Sequence, residues 1–157
     1  MENLSLEQLV GPATVCDFTS VRDFEQIETD DLKAAIGDRP VKRLILRFDW
    51  DDRLNTNEYY SHHPYLTESA CQWLVDQGCR LLAMDTPQPD NPKNGRTSAN
   101  DSPNHKILLG AGVVLVEYLV RIRDLSLREV FLVVAPLKVA NGDGAPVRCF
   151  AMEGGLP

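Results

Sequence analysis

The sequence has little of what several large classes of protein require. Its 157 residues include three histidines and four cysteines, and no two cysteines have C-x-x-C spacing. No segment approaches the roughly 18–20 apolar residues that span a bilayer. Lysine and arginine are scattered rather than gathered into a stripe. These absences argue against a paired-cysteine metal site, a membrane span and a nucleic-acid surface.

Catalytic motifs that are recognisable from sequence alone are also missing. We find no phosphate-cradling glycine loop, and no Ser-His-Asp arrangement can be assembled. The formal net charge of −7 gives no reason to expect a phosphate-rich partner. We therefore expect neither a nucleotide-binding loop nor a serine hydrolase.

What is present is the composition of an ordinary globular protein. Hydrophobic residues make up 43% of the chain and charged residues 25%. A chain of this length is long enough to bury a real core, so we expect a single domain over residues 1–157. Each cysteine lies in or beside an apolar run, which is typical of reduced, packed thiols. The sequence predicts a soluble, cytoplasmic protein.

Short apolar runs bounded by turn residues predict the strands. They cover residues 13–18, roughly 42–48, 79–84, 130–139 and 147–152, and the last two are separated by a turn that predicts a hairpin.

Two helices are predicted between these strands, and a polar stretch at 51–65 is expected to be loop or broken helix. In the first helix, Thr29 is the predicted cap and Gly37 the end. In the second, Thr67 is the predicted cap and Gly78 lies just past the end. Helices alternating with buried strands predict a mixed, β-rich α/β fold.

The segment HKILLGAGVVLVE, residues 105–117, carries metal-binding chemistry at both ends. It follows a proline-rich loop at 87–104, and loops of that length are often functional. Imidazole and carboxylate are ligands that zinc and manganese accept. A short helix turning at Gly112 into a strand would bring His105 and Glu117 together. The alternative is a histidine that caps a helix and a glutamate that ends a strand.

Three other polar residues need an interpretation. Asp85 directly follows a predicted strand, a position where α/β folds place functional side chains, although it also fits a turn or helix cap before Pro87. His62 and His63 are adjacent, so in an extended chain their side chains point to opposite faces and cannot bind one ion together. We expect both histidines to lie in a surface loop.

Three ordered blocks resemble a known family. They are HHPYLTESACQWLVDQGCRLLAMDTPQPD, HKILLGAGVVLVE and VVAPLKVANGDGAPVRCFAM, and the resemblance runs from about Leu4 to Met152. The family is the cyclase family, which contains the bacterial kynurenine formamidases and related metal-dependent hydrolases. In its members, the histidine that opens the second block and the glutamate that closes it are metal ligands. The resemblance thus implies that His105 and Glu117 bind metal.

The resemblance also implies a fold and an activity. The fold is a domain of the swivelling β/β/α type, assembled as a homo-oligomer. The activity is hydrolysis of a small-molecule amide such as N-formylkynurenine at a zinc or manganese centre, with Asp85 bordering the substrate pocket. No nucleic acid or membrane is implied as a partner.

The sequence departs from the family at one motif. The family carries further metal ligands in an H-x-G-T-H-x-D motif, followed by a histidine that acts as acid and base. Neither is found in these 157 residues. We therefore expect this chain to lack the N-terminal part of the family domain and to contain no catalytic residue. A non-catalytic binding or assembly module, or a chain completed by a partner, is the alternative function.

Overall fold

A computed structural model describes residues 3–95 and 100–154 of the protein. The strands are β1 (Val10–Asp17), β2 (Gln26–Ile27), β3 (Arg43–Arg47), β4 (Tyr65–Leu66), β5 (Leu81–Met84), β6 (Val114–Val116), β7 (Glu129–Pro136) and β8 (Val147–Met152). The α-helices are α1 (Leu6–Leu9), α2 (Thr29–Ile36), α3 (Asn57–Ser61), α4 (Glu68–Asp76) and α5 (Pro103–Gly110). Short 3₁₀ helices lie at Trp50–Arg53 and Ile122–Asp124.

Six of the strands form one mixed sheet in the order β6-β5-β3-β1-β7-β8. The first four of these strands are parallel, whereas β7 pairs antiparallel with β1 and β8 pairs antiparallel with β7. A separate parallel pair joins β2 to β4. The result is a mixed α/β fold, as the sequence predicted, with β6 at one edge of the main sheet.

The central strands are buried because hydrophobic residues cover both faces of the sheet. One core contains the apolar residues of α2, α4 and α5, including Leu32, Leu74 and Leu108. The second core lies on the opposite face and includes Ile45 and Ile122. Strands covered on both sides need continuous apolar runs, which explains why all four residues of β5 are buried.

The helix caps confirm one prediction and correct another. The side chain of Thr67 accepts a hydrogen bond from the backbone N–H of Ala70 at the start of α4, and Gly78 follows the helix with a φ of 79°. Helix α2 begins at Thr29 rather than after it. Its cap is Glu28, which exchanges hydrogen bonds with Asp31 in a capping box. The predicted Thr29 cap is therefore one residue too late.

The predicted strands all occur, with ends shifted by a few residues. The segment at 51–65 is a broken helix, made of the first 3₁₀ helix and α3. All four cysteines are free, and three of them are fully buried. No helix within the described parts of the chain is long and apolar enough to cross a membrane.

The predicted surface position of His63 is wrong. Its side chain is completely buried, with Nδ1 2.9 Å from the carbonyl oxygen of Pro64. Burial lowers the pKa of His63. His62, its neighbour, stays partly exposed and contacts Ser61 through Nδ1. The two histidines therefore differ in exposure, and one of them enters the core.

Candidate metal centre

Helix α5 and strand β6 hold the two predicted ligands. Pro103 begins α5, where its missing N–H costs nothing. The helix is followed by Gly112, whose φ of 77° suits a residue without a side chain, and the chain then continues into β6. This confirms the predicted helix, turn and strand. The reversal brings Nε2 of His105 within 3.3 Å of Oε1 of Glu117.

A third residue, Asp90, contacts the other side of the histidine ring. Its Oδ2 lies 2.5 Å from Nδ1 of His105. The same carboxylate accepts the backbone N–H groups of Asn104 at 2.7 Å and of His105 at 3.3 Å. Asp90 is only 1% exposed. It therefore caps α5 and binds the imidazole at once, although it lies 15 residues before His105.

The two carboxylates change the acid–base behaviour of the ring. The hydrogen bond that the ring donates to Asp90 and the proximity of Glu117 raise the pKa of His105 to about 9, against the opposing effect of partial burial. Without a cation, the ring is therefore positively charged at neutral pH. A metal ion must displace that proton to bind a ring nitrogen, so binding releases a proton.

An open cavity of about 560 Å³ lies next to His105 and Glu117. This volume is in the range of small-molecule sites, which run from roughly 300 to 1,000 Å³. The walls come from the edge strand β6, the end of α5, the start of the chain and the loop between β7 and β8. The lining residues are Asn3, Leu4, His105, Leu109, 112–118, 142–145 and Val147.

The donor atoms fit a zinc or manganese ion. Besides the His105 ring 3.3 Å away, the buried Oε1 of Glu117 has no partner among the residues that the structure describes. An ion that displaced the ring proton would therefore also have to satisfy this oxygen. Two ligand atoms each about 2.1 Å from a tetrahedral ion lie roughly 3.4 Å apart. The separation of 3.3 Å between Nε2 and Oε1 matches that spacing.

The described residues nonetheless supply fewer ligands than a complete metal site needs. Catalytic zinc sites usually have three protein ligands. Residues 3–95 and 100–154 contain no cluster of three or more His, Cys, Asp or Glu side chains that could hold an ion. Asp90, a further carboxylate beside His105, is occupied by the imidazole and by the first turn of α5. The described residues thus offer two ligands and one residue that supports them.

Asp85 does not line this cavity. Its side chain is completely buried just after β5, and its two carboxylate oxygens lie 3.0 and 3.2 Å from the backbone nitrogen of Phe48, which donates to them. Burial raises the pKa of Asp85 to about 7. Asp85 thus lies outside the lining of this cavity, and its place at the border of a substrate pocket stays a prediction. The turn role, which the sequence left open, describes its contacts better.

Asp90 is the functional candidate that reading the sequence missed. It lies in the long loop that leads into His105. Nothing in the local pattern DNP distinguishes Asp90 from an ordinary turn residue. In the sequence, Ser102 looks like an ordinary cap for α5, and only the structure shows that it makes no side-chain cap and that Asp90 accepts N–H groups of the first turn instead.

Comparison with known proteins supports the resemblance seen in the sequence. Residues 1–91, more than half of the chain, match the model of the family described as "Putative cyclase". The chain belongs to the cyclase family. In keeping with this, a solved structure described as a potential metal-dependent hydrolase with cyclase activity is 27% identical. It superimposes with a TM-score of 0.71, covering 96% of this chain and 69% of the other.

Two curated relatives show which activities occur among similar proteins. A kynurenine formamidase from Bacillus cereus is 25% identical over 146 residues, which is 93% of this chain and 64% of the relative. An isatin hydrolase from Roseibium aggregatum is 25% identical over 170 residues, covering 96% of this chain and 62% of the relative. This cyclase-family chain thus spans less than two thirds of the length of either hydrolase.

Proposed function

We propose that this chain forms part of a metal-dependent amide hydrolase similar to kynurenine formamidase, in which His105 and Glu117 are metal ligands. One observation carries the proposal. An imidazole nitrogen and a buried carboxylate oxygen face each other at 3.3 Å beside an open cavity. The relatives named above, a kynurenine formamidase and an isatin hydrolase, support hydrolysis as the chemistry.

The chemistry that a zinc or manganese ion supplies is polarisation of a carbonyl oxygen and activation of water at neutral pH. The chain's own residues do the rest. His105 presents Nε2 and Glu117 presents Oε1, while Asp90 holds the ring from the far side. Leu109 and β6 form an apolar wall beside them. A small amide such as N-formylkynurenine, which would give kynurenine and formate, fits a cavity of this volume.

The missing third ligand favours a second candidate function. A site with two protein ligands binds an ion weakly by comparison with a complete one. The chain would then be a binding or assembly module, or it would become active only when a partner supplies further ligands. The exposed outer edge of β6 beside the cavity gives such a partner a place to pair. In either case we expect a cytoplasmic homo-oligomer.

A hydrolysis assay separates the two candidates. The purified chain is incubated with N-formylkynurenine and added zinc or manganese, and kynurenine is measured. We expect metal-dependent turnover that falls at least about 100-fold in His105→Ala and in Glu117→Ala, since each removes a metal ligand. His62→Ala is the matched control, because His62 lies outside the cavity, and its activity should be unchanged.

The other outcomes are equally informative. A chain that is active without any loss in the His105 and Glu117 variants would show that the site assignment is wrong. A chain that is inactive alone but gains activity when mixed with a second polypeptide would favour the second candidate.

A further inference from the structure

We propose that Asp90 is a positioning residue that keeps the ring proton of His105 on Nδ1 and thereby leaves Nε2 free to bind a metal ion. This inference rests on the proposed role of His105 as a ligand. It assigns a function to a carboxylate that neither the family resemblance nor the sequence pattern singled out.

The first step is the count of donors and acceptors around Asp90. An ionised carboxylate only accepts hydrogen bonds. Oδ1 accepts the N–H of Asn104 at 2.7 Å, and Oδ2 accepts the N–H of His105 at 3.3 Å. The remaining short contact, 2.5 Å from Oδ2 to Nδ1, therefore requires a proton on Nδ1. In the neutral ring, the lone pair is then on Nε2, which faces Glu117.

The second step is that Asp90 itself is held in place. The preceding residue, Pro89, has a carbonyl oxygen that accepts the N–H of Leu66 at 3.0 Å and the side-chain amide of Asn104 at 2.9 Å. That amide also donates to the carbonyl oxygen of Leu66 at 2.7 Å. The loop bearing Asp90 is thus tied both to β4 and to the first turn of α5. With the carboxylate 1% exposed, water cannot easily replace it as the partner of the ring.

Metal-binding histidines commonly donate their second ring N–H to a carboxylate, which fixes the tautomer and the ring orientation. Loss of such a partner typically lowers metal affinity by about 10- to 100-fold. The arrangement of Asp90, His105 and the cavity has this form. A carboxylate that served only as a helix cap would need the backbone N–H groups of α5 and no contact with the imidazole.

The substitution Asp90→Asn separates the two roles. The amide must keep its oxygen toward the N–H of Asn104, since that contact is short at 2.7 Å and two donors would repel there. Its NH₂ group then takes the place of Oδ2 and faces Nδ1 of His105. An NH₂ group can only donate, so Nδ1 must accept and the ring proton must move to Nε2. The short hydrogen bond from the N–H of Asn104 survives, the longer one from the N–H of His105 is lost, and the metal-binding nitrogen is blocked.

The experiment is an NMR measurement of histidine ring nitrogens in the full, metal-free chain labelled with ¹⁵N, recorded at a pH at which the ¹⁵N shifts show the ring to be neutral. We expect the Nδ1–H form of His105 in the unmodified protein and the Nε2–H form in Asp90→Asn. Titration with zinc or manganese should show affinity that is about 10- to 100-fold lower in the variant. Asp38→Asn is the control for the loss of one negative charge, since Asp38 is exposed and lies outside the cavity.

Two results would overturn the proposal. The Nε2–H form in the unmodified protein does so without any variant, so the test holds even if Asp90→Asn fails to fold. An unchanged tautomer in Asp90→Asn, with or without a loss of affinity, would reduce Asp90 to a helix cap. A tautomer that switches in a protein that binds no metal would support the positioning role and count instead against the proposed hydrolase function.

Discussion

Asp85 and Asp90 follow the same strand, β5, and both side chains are buried, at 0% and 1% exposure. Their partners differ. Asp85 accepts a hydrogen bond from the backbone of Phe48 and fastens the end of β3 to the end of β5. Asp90 reaches the ring of His105 and the first turn of α5, at the edge of an open cavity.

The contrast shows that burial of a charged group does not by itself identify a functional site. A buried carboxylate that faces only backbone N–H groups stabilises one conformation of the chain. A buried carboxylate that hydrogen-bonds to a partly exposed imidazole fixes the orientation of a ring that lines a cavity. The side chain of His105 is 27% exposed and lines the cavity. The carboxylate of Asp85 instead receives the backbone N–H of Phe48.

The largest expected effect concerns the cost of keeping Asp85 buried. Because its folded pKa, about 7, lies above the unfolded value of 3.8, the folded state holds the proton more tightly. The free energy of unfolding should therefore fall as the pH rises from about 4 to about 7, by up to ~4 kcal/mol, and stay level above that. In Asp85→Asn, which keeps an acceptor for Phe48, this contribution should vanish.

Chemical denaturation of both proteins across this pH range measures the difference. The relevant quantity is the stability of the unmodified chain minus that of Asp85→Asn, because it cancels the titration of other groups. If the free energies of unfolding of the two proteins change in parallel with pH, Asp85 does not cause the loss of stability, and its burial does not have the predicted cost.

A second prediction concerns the helix that Asp90 caps. Leu108 is completely buried in the core, whereas Leu109 on the same helix is 52% exposed and lines the cavity. Leu108→Ala should destabilise the protein by about 3 kcal/mol through lost burial and a cavity. Leu109→Ala should cost less than about 0.5 kcal/mol. Both free energies of unfolding are measured by thermal or urea unfolding. Equal losses of stability in the two variants would contradict the burial of Leu108 and the exposure of Leu109.

The smallest effect compares the remote cap of α5 with a local one. Helix α4 begins with Thr67, whose hydroxyl accepts the N–H of Ala70 at 3.2 Å. Thr67→Ala should lower stability by about 1 kcal/mol, the usual value for an N-cap. Metal affinity should not change, because Thr67 does not line the cavity. A loss of metal affinity would mean that helix capping in general, rather than Asp90, supports the site.

Local patterns were sufficient for the parts of the fold governed by neighbouring residues. The cap and C-terminal glycine of α4, the turn at Gly112 and the hairpin of β7 and β8 all depend on residues within a few positions of each other. The pairing of His105 with Glu117 was within reach for the same reason, since one helix and one turn separate them.

Contacts between residues far apart in the sequence could not be predicted from local patterns. The bond from Asp90 to His105 spans 15 residues of a loop without periodic pattern. His63 looked like a surface residue because its neighbours are polar, yet the loop folds inward and buries it. Asp85 was placed correctly at a strand end, but only tertiary structure decides that it faces Phe48 instead of the cavity.

The most direct test of the proposed metal centre is a calorimetric titration of the metal-free chain with zinc or manganese. We predict one ion per chain, binding that weakens at least about 10-fold in His105→Ala and in Glu117→Ala, and no change in His62→Ala. Absence of binding in the unmodified chain, or an ion bound equally well by both ligand variants, would contradict the assignment of His105 and Glu117 as a metal centre.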